Sequence, residues 1–166
     1  IQPALLTTTE PGELFILRNA GNIVPIYNPE AGTPSSAAIE YAAGVLGVTE
    51  IVVCGHSSCG AIGALMAPDQ LPQDLVCLRQ WANSTELRQL CKGMPSDAKG
   101  DEIARLSVRY QMDTLRSYPL IAKKLKEDKV HLSAWFFHIE AGEIEEWQPE
   151  VNAWKSLTLL GSTTSG

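Results

Sequence analysis

The sequence lacks a long hydrophobic run, an excess of basic residues and a dense set of cysteines. No stretch of its 166 residues approaches the ~20 uninterrupted apolar residues that a membrane-spanning helix needs. Thirteen Lys and Arg against nineteen Asp and Glu give a net charge of −6, which disfavours binding to nucleic-acid phosphates or to an anionic membrane. We therefore expect neither nucleic acid nor a membrane as a partner.

The four cysteines are too sparse for a small secreted disulfide scaffold; they are Cys54, Cys59, Cys77 and Cys91. This usage favours a reduced chain in the cytoplasm or in another reducing intracellular compartment. Cys77 and Cys91 lie in apolar helical patterns, so we interpret both as small buried core residues.

The composition is typical of one globular domain. Hydrophobic residues make up 45% of the chain and charged residues 19%, with a mean hydropathy of −0.03. We expect a single domain over residues 1–160 and a flexible Gly/Ser-rich tail over 161–166. The chain starts at Ile1 without Met or a leader, so we also expect a segment upstream of it.

Alternating strand and helix patterns predict an α/β fold. Residues 13–18 form a short apolar run, 35–46 a helix with Ser35 or Ser36 as its N-cap, and 50–54 a continuous β-branched strand. Strand, helix and strand in this order indicate a βαβ unit in an open, mostly parallel sheet flanked by helices.

Further elements follow downstream. Helix patterns lie at 61–66, 75–82 and 101–126, the last broken at Pro119. Two β-prone stretches, 130–139 and 143–147, flank a Gly-containing turn and predict a C-terminal hairpin.

The segment between strand 50–54 and the next helix carries the chemistry. Ligands bind beyond the carboxyl ends of strands in open α/β sheets, and His56 and Cys59 lie there, three residues apart. An imidazole nitrogen and a thiolate at this spacing can converge on one ion, and this pair of donors selects zinc among the common metals.

This spacing alone leaves other interpretations open. His56 and Cys59 can be a buried structural pair, or Cys59 can be the nucleophile of a cysteine-dependent hydrolase with His56 as its base. The hydrolase would need a group that orients His56 and an oxyanion hole, and the sequence shows neither. A catalytic zinc site would need a third protein ligand, which is not evident in this segment.

The same segment, residues 54–61, resembles the zinc-binding signature of the β-class carbonic anhydrases. Residues 18–22 are similar to the family's Arg-Asn-x-x-Asn segment, and 38–42 to the helix that precedes the zinc strand. Matches to the family's long helix and closing hairpin lie at Gln111, Leu115, Tyr118, Pro119, Trp135, Ile139 and Gly142. Several separated segments in the right order make this resemblance specific.

The resemblance implies reversible hydration of carbon dioxide to bicarbonate and a proton by a zinc-bound hydroxide. It assigns His56 and Cys59 as zinc ligands and leaves Cys54 as a core residue. It implies a small apolar pocket for carbon dioxide, lined by Phe15, Ala20, Tyr41 and Gly60. It also implies a homodimer or a larger homo-oligomer, for which a carboxysome or a plastid is a compatible compartment.

The family's Cys-x-Asp-x-Arg segment has no match in this chain. In the family it supplies another thiolate ligand and an Asp-Arg pair, and it forms the first strand of the sheet. We therefore expect the 166 residues to lack the first strand, one metal ligand and every catalytic residue, all of which belong upstream of Ile1. As written, the chain should bind zinc poorly and be inactive. The alternative is a non-catalytic zinc-binding relative that has lost the Asp-Arg pair.

Two features resemble the plant and cyanobacterial branch of the family. Phe137 stands where one bacterial branch has a Tyr that helps to form an inhibitory bicarbonate pocket, and residues 24–27 read Val-Pro-Ile-Tyr. Bicarbonate allostery is therefore not expected.

Overall fold

A four-stranded sheet organises the chain in a computed structural model that describes residues 1–84 and 100–157. The strand order is β1-β2-β3-β4, with β1 Glu50–His56, β2 His131–His138, β3 Glu143–Gln148 and β4 Ala153–Leu157. β1 and β2 are parallel, whereas β2–β3 and β3–β4 are antiparallel. The α/β fold with an open sheet and flanking helices is confirmed, but the sheet of the described residues is mixed rather than mostly parallel.

Six α-helices lie within the described ranges: α1 (Pro3–Thr7), α2 (Pro34–Tyr41), α3 (Gly60–Met66), α4 (Val76–Ser84), α5 (Gly100–Arg116) and α6 (Pro119–Lys126). Shorter helical turns lie at Ala20–Asn22, Ala42–Leu46, Pro68–Gln70 and Pro149–Val151. The predicted helices 61–66, 75–82 and 101–126 are confirmed, including the break at Pro119. None of the described helices is long and apolar enough to span a membrane.

The predicted helix 35–46 is confirmed as α2 and the π-helical turn that continues it, but the predicted N-cap is wrong. Thr33 caps α2, because its hydroxyl accepts the Ser36 N–H at 3.1 Å while the Ser36 hydroxyl accepts the Thr33 N–H at 2.8 Å. This reciprocal capping box leaves Pro34 at the first helical position, where a missing N–H is harmless.

Residues 13–18 do not form the predicted strand. The apolar side chains of Leu14, Phe15, Ile16 and Leu17 are 38–46% exposed. An extended segment needs a neighbouring strand to satisfy its backbone N–H and C=O groups, and the described residues offer none here. The predicted βαβ unit over 13–54 is therefore not formed, and the parallel crossover instead leads from β1 through the intervening helices to β2.

The predicted C-terminal hairpin is confirmed as β2 and β3, joined by a turn in which Gly142 takes a φ of +70°. β4 extends it and was not predicted, because its Lys155 and Ser156 interrupt any apolar alternation. Trp154 of β4 packs its ring 6.0 Å from Phe136 and 5.6 Å from Trp147. β4 is thus held by aromatic packing against β2 and β3.

Two cysteine predictions and the tail have different outcomes. Cys77 is exposed on α4, so its interpretation as a buried core residue is wrong: the helix is amphipathic, and Cys77 falls on its solvent side. Cys91 and residues 161–166 lie outside the described residues.

α5 packs on the sheet and sets the position of β1. Val108 of α5 is fully buried, in a cluster with Val53 and Ala134 of the two parallel strands. A Cβ on Gly55 would lie only 2.5 Å from Cγ2 of Val108. Glycine at position 55 therefore permits the close approach of α5 to the end of β1.

Gly55→Ala should destabilise the protein by about 1–3 kcal/mol, because the new methyl group forces Val108 or the strand to move. Urea unfolding measures this free energy. Gly63→Ala in α3 is the matched control, since a Cβ there meets nothing within 4 Å and alanine favours a helix. Equal stability of the two variants would contradict this account of the packing.

Candidate metal centre

His56 is the last residue of β1, in register with Phe137 of β2. Its side chain is partly buried, and Nδ1 lies 2.8 Å from the carbonyl oxygen of Ser57. Because a carbonyl only accepts, the neutral imidazole in this arrangement carries its proton on Nδ1 and its lone pair on Nε2. A backbone carbonyl that fixes the tautomer in this way is the usual support of a metal-binding imidazole.

Cys59 is the N-cap residue of α3, and its side chain makes no capping hydrogen bond. The thiol is partly buried, so it is neither sealed in the core nor fully in solvent. The structure thus places both predicted ligands on one loop, residues 56–59, which we call the metal loop. The nitrogen and sulfur donors suit zinc.

The metal loop offers two donors rather than a full set of ligands. Across residues 1–84 and 100–157, no group of three or more His, Cys, Asp or Glu side chains could hold a metal ion. His56 and Cys59 therefore fit as part of a zinc site that needs at least one more ligand.

Three hydrogen bonds hold the metal loop from outside. The Ser57 N–H donates to the Phe137 carbonyl at 2.9 Å, and the Ser57 hydroxyl accepts the Ile139 N–H at 3.0 Å. The Ser58 N–H donates to Oδ1 of Asp101 at 2.8 Å. The sequence did not reveal Ser57 and Asp101 as contributors, because their partners are 80 to 82 and 43 residues away.

The four residues of the predicted carbon dioxide pocket form two groups. The rings of Phe15 and Tyr41 lie with their centroids 6.4 Å apart and their planes tilted by 42°, and both residues are nearly half exposed. Ala20 begins a turn in which a Cβ on buried Gly21 would lie 3.6 Å from Ala61, the residue after Gly60. Phe15 and Tyr41 are thus brought together, and so are the Ala20 turn and the start of α3. Their union in one pocket stays a prediction.

Two buried polar residues fasten the segment that follows Ala20. Oε1 of Gln111 accepts the Val24 N–H at 2.8 Å, and the Tyr118 hydroxyl donates to the Pro25 carbonyl at 2.7 Å. Burial, with a smaller effect of the negative charge of Glu40, raises the pKa of Tyr118 to about 12, so the phenol remains a donor.

Cys54 lies in β1, two residues before His56. Burial raises the pKa of the Cys54 thiol to about 11. The thiol is therefore protonated at neutral pH, as expected for a residue that packs in the protein interior.

A charged cluster lies at the end of β2, next to the metal loop. Arg105 of α5 forms an ion pair with Glu145, whose carboxylate also lies 2.9 Å from Nε2 of His138. Burial opposes ionisation of Glu145, but hydrogen bonds from Arg105 and His138 outweigh it and lower its pKa. The Arg105 guanidinium also stacks 4.2 Å from the centre of the Phe136 ring. The cluster ties α5 to the hairpin.

The sequence model of the family described as carbonic anhydrase matches residues 1–144. The chain belongs to the carbonic anhydrase family. A carbonic anhydrase of Pseudomonas aeruginosa is 43% identical over 148 residues, covering 87% of this chain and 67% of that protein. One of Synechococcus elongatus is 34% identical over 149 residues, covering 87% of this chain and 54% of that protein. This chain therefore spans between about half and two thirds of the length of these relatives.

A solved structure places the chain in the β class. The β-carbonic anhydrase CcaA superposes with a TM-score of 0.84 at 33% identity, covering 95% of this chain and 78% of that one. The resemblance and the enzyme family predicted from the sequence are thereby confirmed. Relatives come from bacteria, cyanobacteria and plants, so the predicted branch stays a prediction.

The raised pKa of Cys54 predicts slow alkylation. At pH 8 only about one Cys54 thiol in a thousand is ionised, and this fraction rises about tenfold per pH unit until the pH approaches 11. Iodoacetamide followed by peptide mass spectrometry should show Cys77 modified long before Cys54, because Cys77 is exposed. Equal rates at pH 8 would contradict the burial of Cys54.

Proposed function

We propose that this chain forms part of the zinc site of an enzyme that interconverts carbon dioxide and bicarbonate. The observation that carries the proposal is the metal loop, in which His56 keeps Nε2 available and Cys59 has no capping bond, in a chain of the carbonic anhydrase family. When bound, zinc supplies Lewis acidity that lowers the pKa of a water molecule, so that hydroxide is available near neutral pH to attack carbon dioxide.

The residues of the chain have separate tasks in this proposal. Nε2 of His56 and the sulfur of Cys59 hold the ion, and the carbonyl of Ser57 keeps the imidazole in the required tautomer. The neighbouring rings of Phe15 and Tyr41 provide an apolar surface, which suits a small uncharged substrate. Ala20 and the backbone N–H of Gly60 complete the proposed pocket beside the ion.

The remaining ligand and the Asp-Arg pair would come from a segment of the family's Cys-x-Asp-x-Arg type. Two observations support a strand position for it. Within the described residues, β1 pairs with β2 on one side only, and residues 13–18 belong to no strand while their apolar side chains are exposed. A strand alongside β1 would satisfy its unpaired backbone groups.

We also propose that the protein works as a homo-oligomer in a reducing compartment, because a zinc-binding Cys59 must be reduced. Exposed apolar side chains support the assembly: Tyr41, Val45, Leu46 and Val52 are 41–68% exposed. A β-carbonic anhydrase of Sordaria macrospora that is described as tetrameric superposes with a TM-score of 0.69 at 27% identity, covering 86% of this chain and 72% of that one.

If the protein is a homo-oligomer, its molar mass in solution should be at least that of two chains. Light scattering coupled to size-exclusion chromatography should give a dimer or a multiple of it, because burying these apolar side chains against a second copy removes them from water. A monomer at tens of micromolar protein would contradict the assembly without touching the assignment of ligands.

Substitution of either ligand should abolish zinc binding and activity. His56→Ala and Cys59→Ser each remove one donor, and loss of one ligand from a catalytic zinc site leaves too few to hold the ion. Controls are His131→Ala, at the opposite end of β2 with a side chain 57% exposed, and Cys77→Ser on α4. Metal analysis gives the zinc content and stopped-flow carbon dioxide hydration the activity, both measured on the product of the whole reading frame. The 166-residue chain alone, which has no group of three metal-binding side chains in its described residues, should bind little zinc.

The outcomes separate the three readings of the sequence. Zinc and hydration that are lost in His56→Ala and kept in His131→Ala would support the enzyme. Bound zinc without hydration between pH 7 and 9 would favour the non-catalytic relative. If the product of the whole reading frame contains no zinc, the proposal is overturned and the cysteine-dependent hydrolase is favoured. Activity retained in His56→Ala would refute the assignment of ligands.

A further inference from the structure

We infer that Asp101 is a positioning residue for the metal loop, an inference that rests on the proposed function. Oδ1 of Asp101 accepts the N–H of Ser58 at 2.8 Å, across 43 residues of sequence. Ser58 lies between the two proposed ligands, His56 and Cys59. Asp101 therefore holds the loop at its middle without belonging to it.

The loop needs this support because of its backbone conformation. Ser58 has a φ of +55°, in the left-handed region that residues other than glycine rarely adopt. β1 ends at His56 and α3 begins at Gly60, so the N–H of Ser58 belongs to neither element. The bond to Asp101 gives this N–H an acceptor only while Ser58 keeps its left-handed turn.

The metal loop is held from two directions. On one side, Ser57 is fastened to β2 through the Phe137 carbonyl and the Ile139 N–H. On the other side, Asp101 fastens Ser58 to α5. The bond to Asp101 thus fixes the turn by which the chain passes from His56 to Cys59, and with it the relative position of the two donors.

Asp101 is well placed for this task. It lies in the first turn of α5, where a carboxylate interacts favourably with the helix dipole. Two turns further on, Val108 of the same helix is in contact with the strand at Gly55, the residue before His56. One helix therefore sets both the strand that carries His56 and the loop that leads to Cys59.

The structure favours positioning over direct metal binding by Asp101. Within the described ranges, Asp101 does not join His56 and Cys59 in a group of three metal-binding side chains. Its Oδ1 is engaged with a backbone amide. The carboxylate acts through the loop, and its contribution is present before any metal arrives.

The test measures the loop directly. In zinc-free protein, Asp101→Ala should raise the rate of amide hydrogen exchange in residues 56–60 about two- to tenfold, the effect of losing one hydrogen bond. Asp101→Asn should keep the slow exchange, because its amide oxygen still accepts the Ser58 N–H. Asp113→Ala is the matched control, since it removes an exposed carboxylate of the same helix that pairs with Arg116. Zinc release to a chelator should be faster in Asp101→Ala alone by a similar factor.

Two results would overturn the inference. One is exchange in residues 56–60 of Asp101→Ala at the rate of Asp113→Ala. The other is exchange in Asp101→Asn as fast as in Asp101→Ala, since rescue by an acceptor of the same shape is what a positioning hydrogen bond requires. A wild-type protein that binds no zinc would overturn the proposed function, whereas the exchange experiment on zinc-free protein would still decide the role of Asp101.

Discussion

The hydrogen-bond ladder between β1 and β2 fixes the place of the metal loop. It begins where the His131 N–H donates to the Thr49 carbonyl at 2.8 Å and ends where the Ser57 N–H donates to the Phe137 carbonyl at 2.9 Å. The last bond lies beyond the end of β1, inside the metal loop. The loop therefore inherits the register of the parallel pair, and a shift by one residue would turn His56 to the other face of the sheet.

α5 packs against the strands and holds the metal loop at a defined position relative to the helix. Its Val108 reaches β1 at Gly55, and its Arg105 and Arg109 lie over the rings of Phe136 and Trp147 at about 4 Å. Each guanidinium covers an apolar ring while its charge stays near water or a carboxylate, which makes these contacts stabilising on a partly exposed hairpin. The helix thus contacts β1, which bears His56, and both strands of the hairpin, β2 and β3.

Local patterns in the sequence predicted the elements that find a pairing or packing partner among the described residues. The β-branched run of β1, the hairpin and the helices after residue 60 form where they were expected: β1 pairs with β2, β2 pairs with β3, and α5 packs on the sheet. Residues 13–18 have the same apolar character as a strand, but a strand also needs pairing, which no local pattern contains. Thr33 was missed as a cap because Ser35 and Ser36 compete with it, and only the position of Pro34 in the first turn decides between them.

The candidate site shows the same division. The donors His56 and Cys59 could be named from their residue types and their place between a strand and a helix. Ser57 and Asp101 could not, because a serine hydroxyl or a carboxylate near a helix start has many local uses, and its partner is found only after the chain has folded. The residue types of the proposed ligands can be read from the local sequence, whereas the relative position of the ligands depends on contacts that form only in the folded protein.

In the proposed function, completion of the fold and completion of the zinc site are one event. In the described part of the chain, β1 has one side without a paired strand, and residues 13–18 carry exposed apolar side chains. A strand that pairs with β1 runs alongside it and brings its own side chains level with the strand end that carries His56. A ligand on that strand would not need a loop to position it, because the register that satisfies the backbone hydrogen bonds of β1 would also place the ligand beside His56 along the strand direction.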